Sequence, residues 1–162
     1  MLSFHDLYEQ YAAEVYRFAY WLAGDATEAD DITSETFVRA WTGRKRIRTA
    51  TVKAYLFTIA RNYYLEGQRK AKRMVELDDK QQDRNPTPDQ VVAERFTLDA
   101  VQAVIQELPE ADRTVFLLRV QHDLQYAEIA GITDLSLSAV KVKVHRVRLK
   151  LAALRLQEEL ER

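Results

Sequence analysis

The chain has few places to turn sharply: its 162 residues hold only four glycines and three prolines. Tight hairpins and barrel corners draw on those two residues, so a sandwich or barrel is disfavoured and helices are expected. The apolar residues agree. Leu7, Tyr8, Tyr11, Val15, Phe18, Ala19 and Leu22 recur at helical spacing, which predicts a helix over about Phe4 to Ala23. Ser3 followed by Asp6 reads as its capping box and Gly24 as its stop. Asp25 with Glu28 opens a second helix that ends near Trp41, before Gly43. Its inward stripe is Ala29, Ile32, Thr36, Phe37, Ala40 and Trp41, and Asp30, Asp31 and Glu35 lie outside it. A basic loop, Gly43 to Ala50, leads to a third helix from about Val52 to Lys72. That helix buries Val52, Tyr55, Leu56, Ile59, Ala60 and Tyr63 and shows Lys53, Arg61 and Asn62 on its other face. Gly67 inside it costs ~1 kcal/mol.

Residues 74–90 read differently: they are polar and acidic, contain Pro86 and Pro88, and lack apolar periodicity. That composition suits a flexible linker, which divides the chain into a domain at 1–73 and a domain at 91–162. The second domain opens with a helix over about Asp89 to Glu107, broken by Pro109, and continues with one over Glu110 to Val120. A short helix at Tyr126 to Ala130, a tight connection at Gly131 to Leu135, and a longer helix capped by Ser136 follow. In that last helix Val140, Val144, Val147, Leu151 and Leu154 form one buried stripe, and Lys141, Lys143, His145, Arg146 and Arg148 occupy the opposing surface. A short helix, a turn and a longer helix with a basic face make a helix-turn-helix, whose second helix fits a DNA major groove. An ordinary helical hairpin with a solvated basic face has the same pattern. The expected fold is all-α, in two small helical domains.

Zero cysteines rule out a disulfide scaffold, a thiol nucleophile and thiolate zinc sites, and the three histidines are scattered without metal-ligand spacing. No Gly-rich phosphate loop or Ser/His/Asp order occurs, so no enzyme, metal or cofactor is expected. No apolar run is long enough for a membrane helix, and the N-terminal residues, with Asp6 and Glu9, do not resemble a signal peptide. A cytoplasmic protein is expected.

Charge is sorted into blocks. Met1 to Trp41 carries a net −6, Thr42 to Arg73 +9, Met74 to Asp112 −7 and Arg113 to Arg162 +3, on a chain whose total is −1. Lys141 to Arg155 alone holds six cations and no acid. Two cationic stretches on a nearly neutral chain point to two polyanion-binding surfaces, although any one such block is also what a solvated face looks like.

Four segments carry a family resemblance: Asp25 to Trp41 (DATEADDITSETFVRAW), Ala54 to Lys70 (AYLFTIARNYYLEGQRK), Leu108 to Arg119 (LPEADRTVFLLR) and Leu124 to Arg148. In order and spacing they resemble bacterial RNA polymerase sigma factors of the extracytoplasmic-function (ECF) group, which keep sigma regions 2 and 4 joined by a linker. The resemblance implies an alternative sigma factor that binds core RNA polymerase, through the clamp helices of the largest subunits and the flap, and directs it to promoter DNA. It also implies control by an anti-sigma factor. By the same resemblance Asp30, Asp31, Ile32, Glu35 and Phe37 dock on polymerase, and Arg44, Lys45, Arg46, Arg48, Lys53, Arg61 and Asn62 bind the −10 element. Asn62 is the base-reading candidate there, since an amide both donates and accepts. Tyr55 matches an aromatic position of the motif, but its period assigns it to packing. Lys141, Val142, Lys143, His145, Arg146 and Arg148 face the −35 element; Arg pairs bidentately with guanine, whereas Lys meets phosphate as readily. Three residues depart from the pattern: Asp134 where the turn often has Gly, Gly131 at a helical position, and Val142 where a small polar residue is common.

The runner-up is a helix-turn-helix regulator with a helical ligand-binding or dimerisation domain, which would form dimers on palindromic sites.

Overall fold

The structure, a computed structural model, describes residues 3–46, 51–77 and 98–161. Among these residues there is no strand. The N-terminal part is a three-helix unit of α1 (Phe4–Ala23), α2 (Ala26–Thr42) and α3 (Val52–Leu77), with a short 3₁₀ turn at Arg44–Arg46. The C-terminal part comprises α4 (Leu98–Glu107), α5 (Glu110–Phe116), a π-helical turn at Leu117–Gln121, α6 (Tyr126–Thr133) and α7 (Leu137–Glu161). The expected start of α4 at Asp89, and most of the expected linker, lie outside the described residues. The third helix runs five residues past Lys72, through Met74, where the linker was expected to begin. Those residues contain no Gly or Pro, so nothing stops propagation, although Met74, Val75 and Leu77 all stay exposed.

The helix ends follow local chemistry. Ser3 Oγ accepts from the Asp6 amide at 3.1 Å and the Asp6 carboxylate accepts from the Ser3 amide at 3.4 Å, which closes the expected capping box. Asp25 caps α2 by accepting from the Glu28 amide at 2.8 Å. Gly24 takes the left-handed conformation, φ 77°, and its N–H donates to the Tyr20 carbonyl at 2.7 Å.

The two domains pack on one another. Phe18, Leu22, Ile32, Phe37, Leu56 and Phe57 of the first share a continuous apolar cluster with Val115, Leu118, Ile129, Val140 and Val144 of the second. A smaller cluster of Ile105, Leu108, Phe116 and Val147 reaches Trp21 on α1. The burial follows most of the periodic stripes of α1, α2 and α7, but Tyr8 is exposed and Trp41, Leu151 and Leu154 are only half-buried. In α3 Leu56 and Ala60 are buried as expected, whereas Ala54, Phe57 and Tyr64 are buried in place of Val52, Tyr55, Ile59 and Tyr63, which are half-buried.

A buried cation joins these parts. Arg113, 7% exposed, donates from Nε to the Ile105 carbonyl (3.1 Å) and from Nη2 to those of Gln106 (3.2 Å) and Leu108 (3.0 Å). Its Nη1 donates to the Leu22 carbonyl (2.7 Å) and the Tyr64 hydroxyl (3.1 Å). All five donors of the guanidinium are thus used, four of them on carbonyls at or beside the C-terminal ends of α1 and α4, where helix dipoles are negative. Beside it Gln106 Nε2 donates to the Trp21 carbonyl at 2.7 Å. The Gln106 side chain lies so close to Gly24 that a Cβ there would sit 2.7 Å from its Cδ.

A lysine at position 113 keeps the charge but offers three donors to five acceptors. Arg113→Lys should therefore lower stability by about 2–4 kcal/mol, since buried carbonyls lose their partners. A fall in the urea midpoint with native helical circular dichroism retained checks this.

Candidate functional site

Three surfaces collect the residues expected to meet partners. The first is the exposed face of α2. Asp30 is exposed, and Asp31 Oδ2 accepts from the Tyr63 hydroxyl at 2.7 Å. Glu35 accepts from Arg39 Nε at 3.3 Å, and Arg39 turns its other edge to Glu66 at 2.7 and 3.1 Å while lying 4.9 Å over the Tyr63 ring. The bond to Asp31 and partial burial push the Tyr63 hydroxyl above its usual range, and the Arg39 bond holds the Glu66 carboxyl below its own. Burial, helped by Asp25 and Asp31, raises Glu28. Ile32 and Phe37 do not belong to this surface: each is 1% exposed and faces the core. Their periodic position in the helix requires that, so any docking through α2 falls to the carboxylates and their neighbours.

The second surface is the basic loop with the adjoining face of α3. Arg44 donates to the Trp41 carbonyl at 2.7 Å and lies 4.1 Å over its ring, and Lys45 is exposed. With Arg39, Thr42, Gly43 and Tyr55, Lys45 lines an open cleft of about 570 Å³. The side chain of Arg46, and Arg48 altogether, lie outside the described residues. Tyr55 is half-buried and points its hydroxyl at the Gly43 carbonyl, 3.4 Å away, which fits the packing role. Asn62 is exposed. Lys53 and Arg61 are not open to solvent in the same way. Lys53 bonds Glu14 at 3.2 Å and the His122 carbonyl at 3.0 Å. Arg61 is bidentate to Glu110, Nε and Nη2 each at 2.8 Å. Burial alone would raise the Glu110 carboxyl, but the bonds from Arg61 and Thr114 outweigh it and hold the group below its usual range.

The third surface is the helix-turn-helix. α6 extends to Thr133, through Gly131, and Asp134 provides the left-handed residue of the turn, φ 58°. Asp tolerates that conformation, so its replacement of Gly leaves the turn intact. Ser136 Oγ accepts from the Ala139 amide at 3.1 Å and caps α7. Val140, Val144 and Val147 are buried, whereas Lys141, Val142, His145, Arg146 and Arg148 are exposed. Lys143 is drawn inward to Asp112 Oδ1 at 2.9 Å, and Arg146, still half-exposed, lies 3.7 Å from Asp112 Oδ2. Asp112 itself is 2% exposed, so Lys143 serves first as its counter-ion.

Glu110, Asp112, Arg113 and His122 were not singled out by the sequence reading. One signal was available: Asp112 stands three and four residues before Val115 and Phe116, so a charged residue occupies the apolar stripe of α5.

These geometries have matches among known proteins. Residues 7–74 match the family described as Sigma-70 region 2, and residues 98–151 match Sigma-70, region 4. The sigma factor SigL of Mycobacterium tuberculosis is 34% identical over 144 residues, 86% of this chain and 81% of its own length. The chain belongs to the ECF RNA polymerase sigma factors. It acts in transcription initiation as an alternative sigma factor, and the reading as a dimeric regulator is not favoured. SigE of Mycolicibacterium smegmatis is 30% identical over 156 residues, with the chain spanning 61% of that relative's length. SigM of Bacillus subtilis is 28% identical across 94% of this chain and 95% of its own. Among solved structures, the sigma factor RpoE of Bartonella quintana, in complex with the anti-sigma factor NepR, superposes with a TM-score of 0.77 at 25% identity, covering 98% of this chain and 96% of that one. CnrH, in complex with the cytosolic domain of CnrY, gives 0.68 at 25% identity, covering 93% and 86%. Among the described residues of this sigma factor no helix is long and apolar enough to cross a membrane.

His122 gives the domain contact a pH dependence. Its ring, 4% exposed, sits 4.7 Å from Phe57 and 5.9 Å from Phe18, and its Nε2 has no partner among the described residues. Burial, with Lys53 on α3 and Arg17 on α1 adding repulsion, brings its pKa from 6.5 down to about 4. The packed chain therefore holds this imidazole neutral, while an unpacked chain protonates it below about 6.5. Stability should fall as pH drops from 6.5 towards 4, with protonation of Glu110 adding to the loss only at the acid end. Urea midpoints measured across that range should slope downward with acid, and His122→Gln should flatten the slope above pH 5.

Proposed function

We propose that this sigma factor binds core RNA polymerase through the α2 face, contacts the −10 element through the basic loop and α3, and reads the −35 element with α7. The observation that carries this is the pairing, on one chain, of a region 2 match bearing the cationic loop with a region 4 match whose recognition helix leaves Lys141, His145, Arg146 and Arg148 exposed. The polymerase contacts are Asp30, Asp31 and Glu35, whose carboxylates suit a partner surface rich in arginine. The −10 contacts are Arg44, Lys45, Arg46, Arg48, Lys53, Arg61 and Asn62: cations for the backbone and an amide for a splayed base. The −35 contacts are Lys141, Val142, His145, Arg146 and Arg148, with Lys143 holding the helix in place. The division into domains at 1–73 and 91–162 follows the same reading.

An anti-sigma factor is the natural further partner, supported by the solved structure of the relative RpoE in complex with one. The protein works in the cytoplasm, where polymerase and promoter are, and has no catalytic turnover of its own. Run-off transcription with purified core polymerase on genomic fragments is the deciding experiment. A discrete set of transcripts that depends on the added chain is expected, and its absence from every fragment would reject the reading.

Within α7 the roles separate. A bidentate Arg–guanine contact carries about 1–3 kcal/mol of discrimination, whereas a phosphate contact carries none. Arg146→Ala should lower use of the best −35 sequence and flatten preference at one position. Lys141→Ala should weaken all sequences alike and reduce the salt dependence by roughly one counterion. Transcription from a −35 library at two salt concentrations distinguishes the two.

A further inference from the structure

Asp112 is a buried carboxylate that takes no part in the contacts proposed with polymerase or promoter, yet it faces the recognition helix. It stands on α5, 2% exposed. Its Oδ1 accepts from Lys143 Nζ at 2.9 Å, and its Oδ2 lies 3.7 Å from Arg146 Nη1. Lys143 and Arg146 are three residues apart, so both project from one flank of the stripe formed by Val140, Val144 and Val147. One carboxylate thus serves two cations, with one oxygen to each. A counter-ion for Lys143 alone needs only the first of these contacts.

We propose that Asp112 is a positioning residue for promoter reading: by drawing Nη1 of Arg146 to itself, it aims that guanidinium at a guanine of the −35 element. This rests on the reading of Arg146 as a −35 base contact.

An arginine reads guanine with two parallel N–H groups, one to O6 and one to N7. With Nη1 turned to Asp112, the Nε and Nη2 edge is the pair left for a base, the same edge with which Arg61 grips Glu110. The Arg146 side chain stays 53% exposed, so the carboxylate steers it without covering it. At 3.7 Å the contact is an ion pair, too long for a hydrogen bond, and leaves the donors free. Restricting a flexible arginine in the free protein removes part of the ordering cost from DNA binding. The carboxylate also opposes a competing use. A guanidinium free to swing takes a backbone phosphate, which carries no sequence information, and a negative charge beside it disfavours phosphate there. Asp112 has a firm support, because the next residue, Arg113, ties α5 to the Ile105 and Leu108 carbonyls. Lys141, assigned to phosphate, is placed otherwise. It lies 5.8 Å from the Tyr126 ring centroid and has no carboxylate partner among the described residues.

The test is transcription by the holoenzyme, core polymerase with the full chain, from a library of −35 elements, read as the preference for guanine at each position. Arg146→Ala identifies the position that Arg146 reads. Asp112→Asn should lower the guanine preference there about three- to tenfold and leave the other positions as they are. In the Arg146→Ala background it should add nothing at that position. Asp112→Asn also strips Lys143 of its counter-ion, so a second variant removes the carboxylate without stranding that lysine. Asp112→Leu combined with Lys143→Met replaces the buried pair by apolar groups and should flatten the same position. Lys143→Met alone keeps Arg146 as the partner of Asp112 and should retain the preference.

The proposal is overturned if Asp112→Asn and the double variant change every −35 sequence by the same factor, in either direction, as a charge acting on the DNA backbone would. It is also overturned if Lys143→Met flattens the position as strongly as Asp112→Asn, because the carboxylate then acts only through the seating of α7. Arg146→Ala separates these failures from that of the underlying reading. A uniform loss in that variant rejects Arg146 as a base contact, and the proposal with it. Flattening by Arg146→Ala without flattening by Asp112→Asn rejects the positioning role alone.

Discussion

The arrangement of the whole molecule depends on how one helix end is closed. The last carbonyls of an α-helix have no partner within the helix, and if buried they must find one elsewhere. In α1 the Tyr20 carbonyl is met by the Gly24 amide, but those of Trp21 and Leu22 are met by Gln106 and Arg113 from the other domain. The first domain thus completes its own first helix with side chains borrowed from the second. Arg113 simultaneously serves the end of α4, so a single guanidinium stands where two negative helix ends converge. Its hydrogen bonds all go to neutral acceptors, while the Glu110 carboxylate nearby feels its charge.

That arrangement also accounts for the charge pattern. The acidic block from Met74 to Asp112 ends on Glu110 and Asp112, the two carboxylates that face cations of the neighbouring elements. Glu110 turns to the first domain and Asp112 to the recognition helix. The alternation of sign along the chain, which by itself reads as two surfaces awaiting polyanions, is thus partly used inside the protein. Charges separated in sequence by about 30 to 50 residues become neighbours once the helices pack.

What could be read in advance follows from the range of the interaction involved. α1 and α2 have their caps and periodicity within a few residues, and both appear at the expected places. Ile32 and Phe37 show the limit of a motif: the resemblance put them on the docking surface, although the helical period had already assigned them to the core, and the period prevails. The π-helical turn at Leu117–Gln121 was not legible, because its widened hydrogen bonds answer to the seating of His122 between rings on two other helices. Arg61, Lys53 and Lys143 were correctly placed off the apolar stripes. Their partners, Glu110, the His122 carbonyl and Asp112, come from helices distant in sequence, and a helical period says nothing about which helix will lie alongside.

Gly24 is usually the kind of residue assigned to turn chemistry and left there. Here its missing side chain also makes room for Gln106, and a Cβ would intrude on that amide from 2.7 Å. Position 24 is consequently answerable to position 106, on a helix of the other domain. A larger residue at position 24 would meet both the strain of the left-handed backbone and the Gln106 amide, so it should also disturb the Gln106 bond to the Trp21 carbonyl. The glycine that closes α1 thus also leaves room for the amide through which α4 reaches the end of that helix.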